Sequence, residues 1–152
     1  LSTDSIYPHK LKELLEELSS IEDMSLRSDL LIEYAEAFKP VPKEVAHKPF
    51  PERSKVPACE SEAYVWAQKD SESKLKFYFA VENPQGISAM AMAAILDETL
   101  SGELPEAVAN IEADIVYEIF GRGISMGKGQ GLMAMVSMVK NLAKNECKKI
   151  GS

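Results

Sequence analysis

The chain has 152 residues, 45% of them hydrophobic and 27% charged, with a formal net charge of -7 and an isoelectric point near 4.9. That length and composition suit one domain, residues 1–152, around a single core, and no apolar run approaches the roughly 20 residues that span a bilayer. Lysines and arginines are scattered among more numerous acids, which argues against a binder of nucleic-acid backbones.

The opening "LSTDSIYPHK" has neither the basic n-region nor the apolar h-region of a signal peptide, and it lacks an initiator methionine. In "HKLKELLEELSSI", Leu11, Leu14, Leu15 and Leu18 recur at helical spacing with charges opposite. Ser25 is the expected N-cap of a second helix whose apolar face is Leu26, Leu30, Leu31, Tyr34 and Phe38, ending before Pro40. The next segment, "KPVPKEVAHKPFPERSKVP", holds five of the eight prolines. It reads as extended chain over the surface, with a short edge strand near Arg53 to Val56. "AYVWAQ" and "LKFYFAV" read as strands joined by the polar loop "KDSESK". In the second, Leu75, Phe77, Phe79 and Val81 alternate with Lys74, Lys76 and Tyr78, so one face is buried.

Asn83-Pro84 reads as the N-cap and first turn of a helix that runs to Ser101-Gly102. Pro105 opens a short helix, and "ADIVYEIFG" offers another that ends at Gly121. A long helix, "GKGQGLMAMVSMVKNLAKNECKK", closes the chain, with Leu132, Met135, Val136, Val139, Leu142 and Ala143 as its core stripe. Met90, Met92, Met126, Met133, Met135 and Met138 read first as core filler. The expected fold class is α+β: a small antiparallel sheet of about three strands, covered by helices mainly on one face.

Two cysteines do not make a disulfide framework, and with two histidines they show no metal-ligand spacing. Cys147 sits in the lysine-rich, fraying end of the last helix with no motif around it. Cys59 lies in the polar, turn-rich "SKVPACESEAYVW". There Arg53 and Lys55 favour a thiolate, while Glu60 and Glu62 oppose it. His9 and His47 both read as surface residues, so a cysteine hydrolase lacks its base. The glycine cluster "GRGISMGKGQG" is not a phosphate loop. Three residues separate Gly123 from Gly127, and Gly129 stands where Ser or Thr would hold magnesium. It reads as a flexible lead into a helix whose free N–H groups could hold an anion or thiolate. What remains for Cys59 is reaction with an already activated sulfur, a sulfane sulfur or disulfide delivered by a partner.

"KVPACES" resembles the V-P-G-C-x-S motif of the SufE family, the sulfur-acceptor proteins of iron–sulfur cluster assembly. "ISMGKGQGLMAMV" resembles that family's L-S-P-S-R-x-x-G-L-x-A-M, and the order of elements fits over nearly the whole chain. The resemblance implies a SufE/IscU-like fold. It implies that Cys59 takes persulfide sulfur from a SufS-type cysteine desulfurase, stimulating that enzyme, and passes it to an iron–sulfur scaffold complex. Lys128, at the family's arginine, and Ser61 become supporting residues, and a cation at position 128 would favour the thiolate. Pyridoxal phosphate belongs to the desulfurase. The chain itself is expected to need no cofactor or metal, to bind neither nucleic acid nor membrane, to be no enzyme alone, and to work in the cytoplasm. Ala58 replaces the family's glycine, Gly127 its serine, "VENPQ" its G-D-S-D-A, Ala89 its next arginine, and Ala63-Tyr64 its Val-Trp. Two alternatives stand beside this reading. One is an iron–sulfur scaffold, which needs about three cysteine ligands; the other is an interaction module with an incidental thiol. In a carrier, Cys59 should lie at a loop tip with its sulfur partly sheltered by apolar side chains.

Overall fold

The computed structural model describes residues 6–150. Two strands, β1 (Ala63–Lys69) and β2 (Leu75–Val81), pair antiparallel from Ala63↔Val81 to Lys69↔Leu75. Period-2 alternation puts Ala63, Val65, Leu75, Phe77 and Phe79 on one face, and all five are buried. Asp70 closes the hairpin: its Oδ1 accepts the N–H groups of Glu72 and Lys74 at 2.8 and 3.0 Å.

The sheet has two strands where about three were expected. Each outer edge carries an isolated bridge, and Leu75 at the start of β2 also bonds the backbone of Gly102 and Glu103. Val56 N–H donates to Ala63 O where Lys55 adjoins Tyr64, and Val41 N–H donates to Phe79 O where Pro40 adjoins Phe79, both at 2.8 Å. Prolines 40, 42, 51 and 57 lack the N–H donors a growing strand needs. The edge strand expected near Arg53 is instead a 3-10 turn, Glu52–Ser54, leading into the Lys55 bridge. On the outer face, Phe50 covers Tyr64 and Trp66, with ring centroids 5.0 and 5.1 Å apart.

Six α-helices surround the inner face: α1 (His9–Ser19), α2 (Met24–Glu36), α3 (Ile87–Leu100), α4 (Pro105–Ala109), α5 (Ile115–Phe120) and α6 (Met126–Ile150). Helix α3 packs on β2 and α6 on β1, while α2 and α1 pack on α3. Helix α3 is therefore the centre of the core, and Ala91, Met92, Ala93, Ile95, Leu96 and Leu100 are fully buried. The α1 leucines are buried, and so is the α6 stripe except Leu142, which is half-buried. Among the described residues no helix is long and apolar enough to cross a membrane.

Three details differ from the sequence expectation. Asp23 caps α2, its Oδ1 accepting Ser25 N–H at 2.8 Å, and Leu26 stays 59% exposed while Leu30, Leu31, Tyr34 and Phe38 face the core. Helix α3 starts at Ile87, because Asn83 Oδ1 is engaged in a local turn with Gln85 N–H at 3.0 Å. Met126 is 80% exposed rather than core filler.

Arg27 joins the helix ends. Its Nη1 donates to Glu118 O and Ile119 O at 2.7 and 3.2 Å, and its Nη2 to Leu18 O and Ile21 O at 2.6 and 3.3 Å. One cation thus satisfies carbonyls at the C-terminal ends of both α1 and α5 and complements their dipoles. Arg27→Met should lower unfolding free energy in urea by about 2–3 kcal/mol, and Arg27→Lys should recover only part, since an ammonium cannot span four carbonyls.

Tyr34 lies at the α1–α2–α3 seam. Burial, then the carboxylates of Glu98 and Glu17, push its phenol above the ordinary 10.0. The unfolded phenol therefore ionises first, and the seam loses stability as pH rises through 10.0. Tyr34→Phe should show a smaller alkaline fall in urea midpoint than the parent chain.

Candidate functional site

Cys59 stands in the loop between the Lys55 bridge and β1, in a turn closed by Glu62 N–H donating to Cys59 O at 3.2 Å. Residues with left-handed backbone flank it, Ala58 at φ +60° and Glu62 at φ +54°. Such a conformation costs an L-residue about 1–2 kcal/mol and costs glycine little. That is a physical reason for glycine at the position Ala58 fills. Backbone bonds tie the loop to the far end of β2, Glu82 N–H to Glu62 O and Asn83 N–H to Ser61 O, both 3.1 Å.

Two glycines receive the loop. A Cβ on Gly86 would lie 2.7 Å from Ser61 Oγ and 2.8 Å from Ser61 Cβ. A Cβ on Gly131, in the second turn of α6, would lie 3.0 Å from Ala58 O and 3.1 Å from Cys59 Cα. The thiol loop is thus held at the start of α6 by its backbone against Gly131 and at the start of α3 by the Ser61 side chain against Gly86. Cys59 is half-buried against the hydrophobic core, not solvent-bathed.

A cleft of about 380 Å³ opens beside the thiol, its walls including Ser61, Ser88, Ala89, Gly127, Lys128 and Leu132. The first turns of α3 and α6 both reach it. Ser125 caps α6, accepting Gly129 N–H on its carbonyl at 2.9 Å and Lys128 N–H on its Oγ at 3.4 Å. Among the described residues, the N–H groups of Ser88, Ala89, Met126 and Gly127 make no hydrogen bond. Two helix N-termini, one lysine and one carboxylate, Glu60, thus meet beside the thiol.

The structure brings Cys59, Ser61 and Lys128 to this one cleft. Lys55 lines a second, shallower depression on the other flank of the loop, and Arg53 lines neither. His9 pairs with Glu13, and His47 Nδ1 lies 3.3 Å from Lys48 O; neither approaches the thiol's cleft. Cys147 is half-buried in α6, beside Glu146, which pairs with Lys69 at 3.6 Å and Lys149 at 3.1 Å. Ala89 lines the cleft as a buried methyl, so Lys128 is the cation among the lining residues and Glu60 the carboxylate. No group of three or more His, Cys, Asp or Glu among the described residues is placed to hold a metal ion. Sequence reasoning missed Gly86; the available signal was a glycine just ahead of an apolar helix.

Ala58→Gly should stabilise the chain by up to about 1 kcal/mol by relieving the left-handed alanine. Gly131→Ala and Gly86→Ala should cost about 1–3 kcal/mol each through overpacking. Both should also change the alkylation rate of Cys59 by iodoacetamide, which reports displacement of the loop.

Residues 12–143 match the model of a family described as SufE, Fe-S metabolism associated domain. The chain is also similar to the solution structure of a hypothetical protein from Thermus thermophilus. The two are 30% identical, with 93% of this chain and 98% of that one covered and a TM-score of 0.71. No curated protein sequence matches it.

Proposed function

The chain belongs to the SufE family, whose domain is associated with Fe–S metabolism, and from that membership we propose that it is a sulfur acceptor working through Cys59. The donor is a SufS-type cysteine desulfurase carrying a persulfide on its own cysteine. The Cys59 thiolate attacks the terminal sulfur of that persulfide. A new S–S bond forms on Cys59, the donor's S–S bond breaks, and the donor cysteine leaves as thiolate with its electron pair. The proton on the transferred sulfur travels with it, so nothing is oxidised or reduced overall. Repeating the exchange with a thiolate of an iron–sulfur scaffold complex delivers the sulfur onward, and clearing the donor's cysteine stimulates its next turnover.

The observation that carries this reading is a half-buried thiol in a cleft that faces two helix N-termini and Lys128, with no histidine beside it. Hydrolysis needs a positioned base, whereas attack on an activated sulfur needs an anionic sulfur held in reach. Lys128 and the free N–H groups line the cleft that an anionic sulfur would enter, and Ser61 seats the loop against Gly86. The chain acts as one domain in the cytoplasm, without a cofactor of its own, and is a carrier and activator rather than an enzyme. Pyridoxal phosphate stays with the donor, and neither nucleic acid nor membrane takes part. A scaffold role fits less well, because Cys59 and Cys147 lie on different elements and a cluster takes about three cysteines.

The test is incubation with a cysteine desulfurase and [35S]cysteine, followed by gel separation with and without dithiothreitol. The parent chain should acquire label that dithiothreitol removes, and Cys59→Ser should acquire none while shifting stability by less than about 1 kcal/mol. Cys147→Ser should label like the parent. Lys128→Ala should slow loading without abolishing it, and Lys128→Arg should be tolerated. Wild-type labelling of Cys59→Ser would sink the proposal.

A further inference from the structure

We infer that the sulfur-donating protein docks in the apolar groove between α2, α3 and the α5–α6 loop, an inference that rests on the acceptor reading above. The groove has a volume of about 390 Å³ and is lined by Met24, Leu31, Ile32, Ile87, Phe120 and Ile124, among others. Met24, Ile32 and Ile87 are 57%, 46% and 50% exposed. Single exposed apolar residues are ordinary, but these converge on one concavity.

Continuity with the thiol's cleft identifies the occupant. Ile87, Ser88 and Lys128 line both hollows, so the groove begins where the cleft ends. Cys59 is half-buried, and a protein-borne persulfide that enters by the cleft crosses that shared rim. The body carrying it then lies on the groove.

Charge narrows the partner's chemistry. The groove's described lining contains Lys128 and no carboxylate, in a chain of net charge -7. It therefore suits an apolar segment flanked by an acid that meets Lys128. A second copy of this chain fits poorly. Glu22, Asp23, Asp29, Glu33 and Glu36 lie on or just ahead of α2 and would face their own kind across such a contact.

The test uses Ile32→Glu and Met24→Glu, both outside the cleft, loaded from two sources: the desulfurase with [35S]cysteine, and glutathione persulfide. With the desulfurase, the concentration of chain giving half-maximal loading should rise at least tenfold while the saturating rate holds. Loading from glutathione persulfide should stay at the parent rate. If the parent chain takes no label from the desulfurase, the acceptor reading fails and this inference falls with it. If the parent loads and both variants match it, the acceptor reading stands and the groove is not the docking site. Equal losses from both sources would mean that the groove acts on the thiol and not on docking, which overturns the inference. So would a concentration-dependent dimer in sedimentation that Ile32→Glu abolishes, since a second copy would then fill the groove.

Discussion

The candidate site depends on close contacts at two glycines, one made by the loop's backbone and the other by the Ser61 side chain. The loop bearing Cys59 lies against Gly131 on one side and Gly86 on the other, at distances where an added methyl group would force its neighbours to shift. These contacts join three separate parts of the chain: the loop ahead of β1, the turn ahead of α3, and the first turns of α6. Because glycines 86 and 131 belong to the starts of helices, the loop that meets them is carried to the positive ends of two dipoles. Position and electrostatics thus come from one arrangement.

The loop also carries a cost. Ala58 and Glu62 hold left-handed conformations, and the surrounding contacts must over-determine them for the turn to persist. The bonds to Glu82 and Asn83 and the packing on Gly131 supply that restraint. A strained turn with a half-buried thiol suits a carrier, which has to shelter a reactive sulfur between two encounters. The proline-rich segment contributes in a different way. It caps both sheet edges with single bridges and covers the outer face with Phe50, so the hairpin does not invite further strands.

Much of this was legible in the chain before folding. The spacing of Leu11, Leu14, Leu15 and Leu18, the alternation in "LKFYFAV", and the stripe along the last helix are local periodicities that burial then obeyed. The motif around Cys59 named the thiol, and the resemblance paired it with Lys128 from a segment about half the chain away. Local caps were harder. Ser25 and Asn83 have the right chemistry for an N-cap, yet Asp23 and Gly86 hold those places, because several adjacent residues could serve and packing chose among them.

The sequence by itself determined the helices and the strand pair and singled out Cys59 as the candidate thiol, because helix and strand periods and a cysteine's loop setting are properties of short segments. Tertiary structure alone decided that the sheet stops at two strands, that Arg27 binds carbonyls of two helices, and that Gly86 is part of the thiol's seat. It also decided that Ile32 and Met24, ordinary as a pattern, open onto a groove continuous with the cleft. Each of these depends on distances between residues remote in sequence, and a one-dimensional pattern does not encode which remote surfaces will meet.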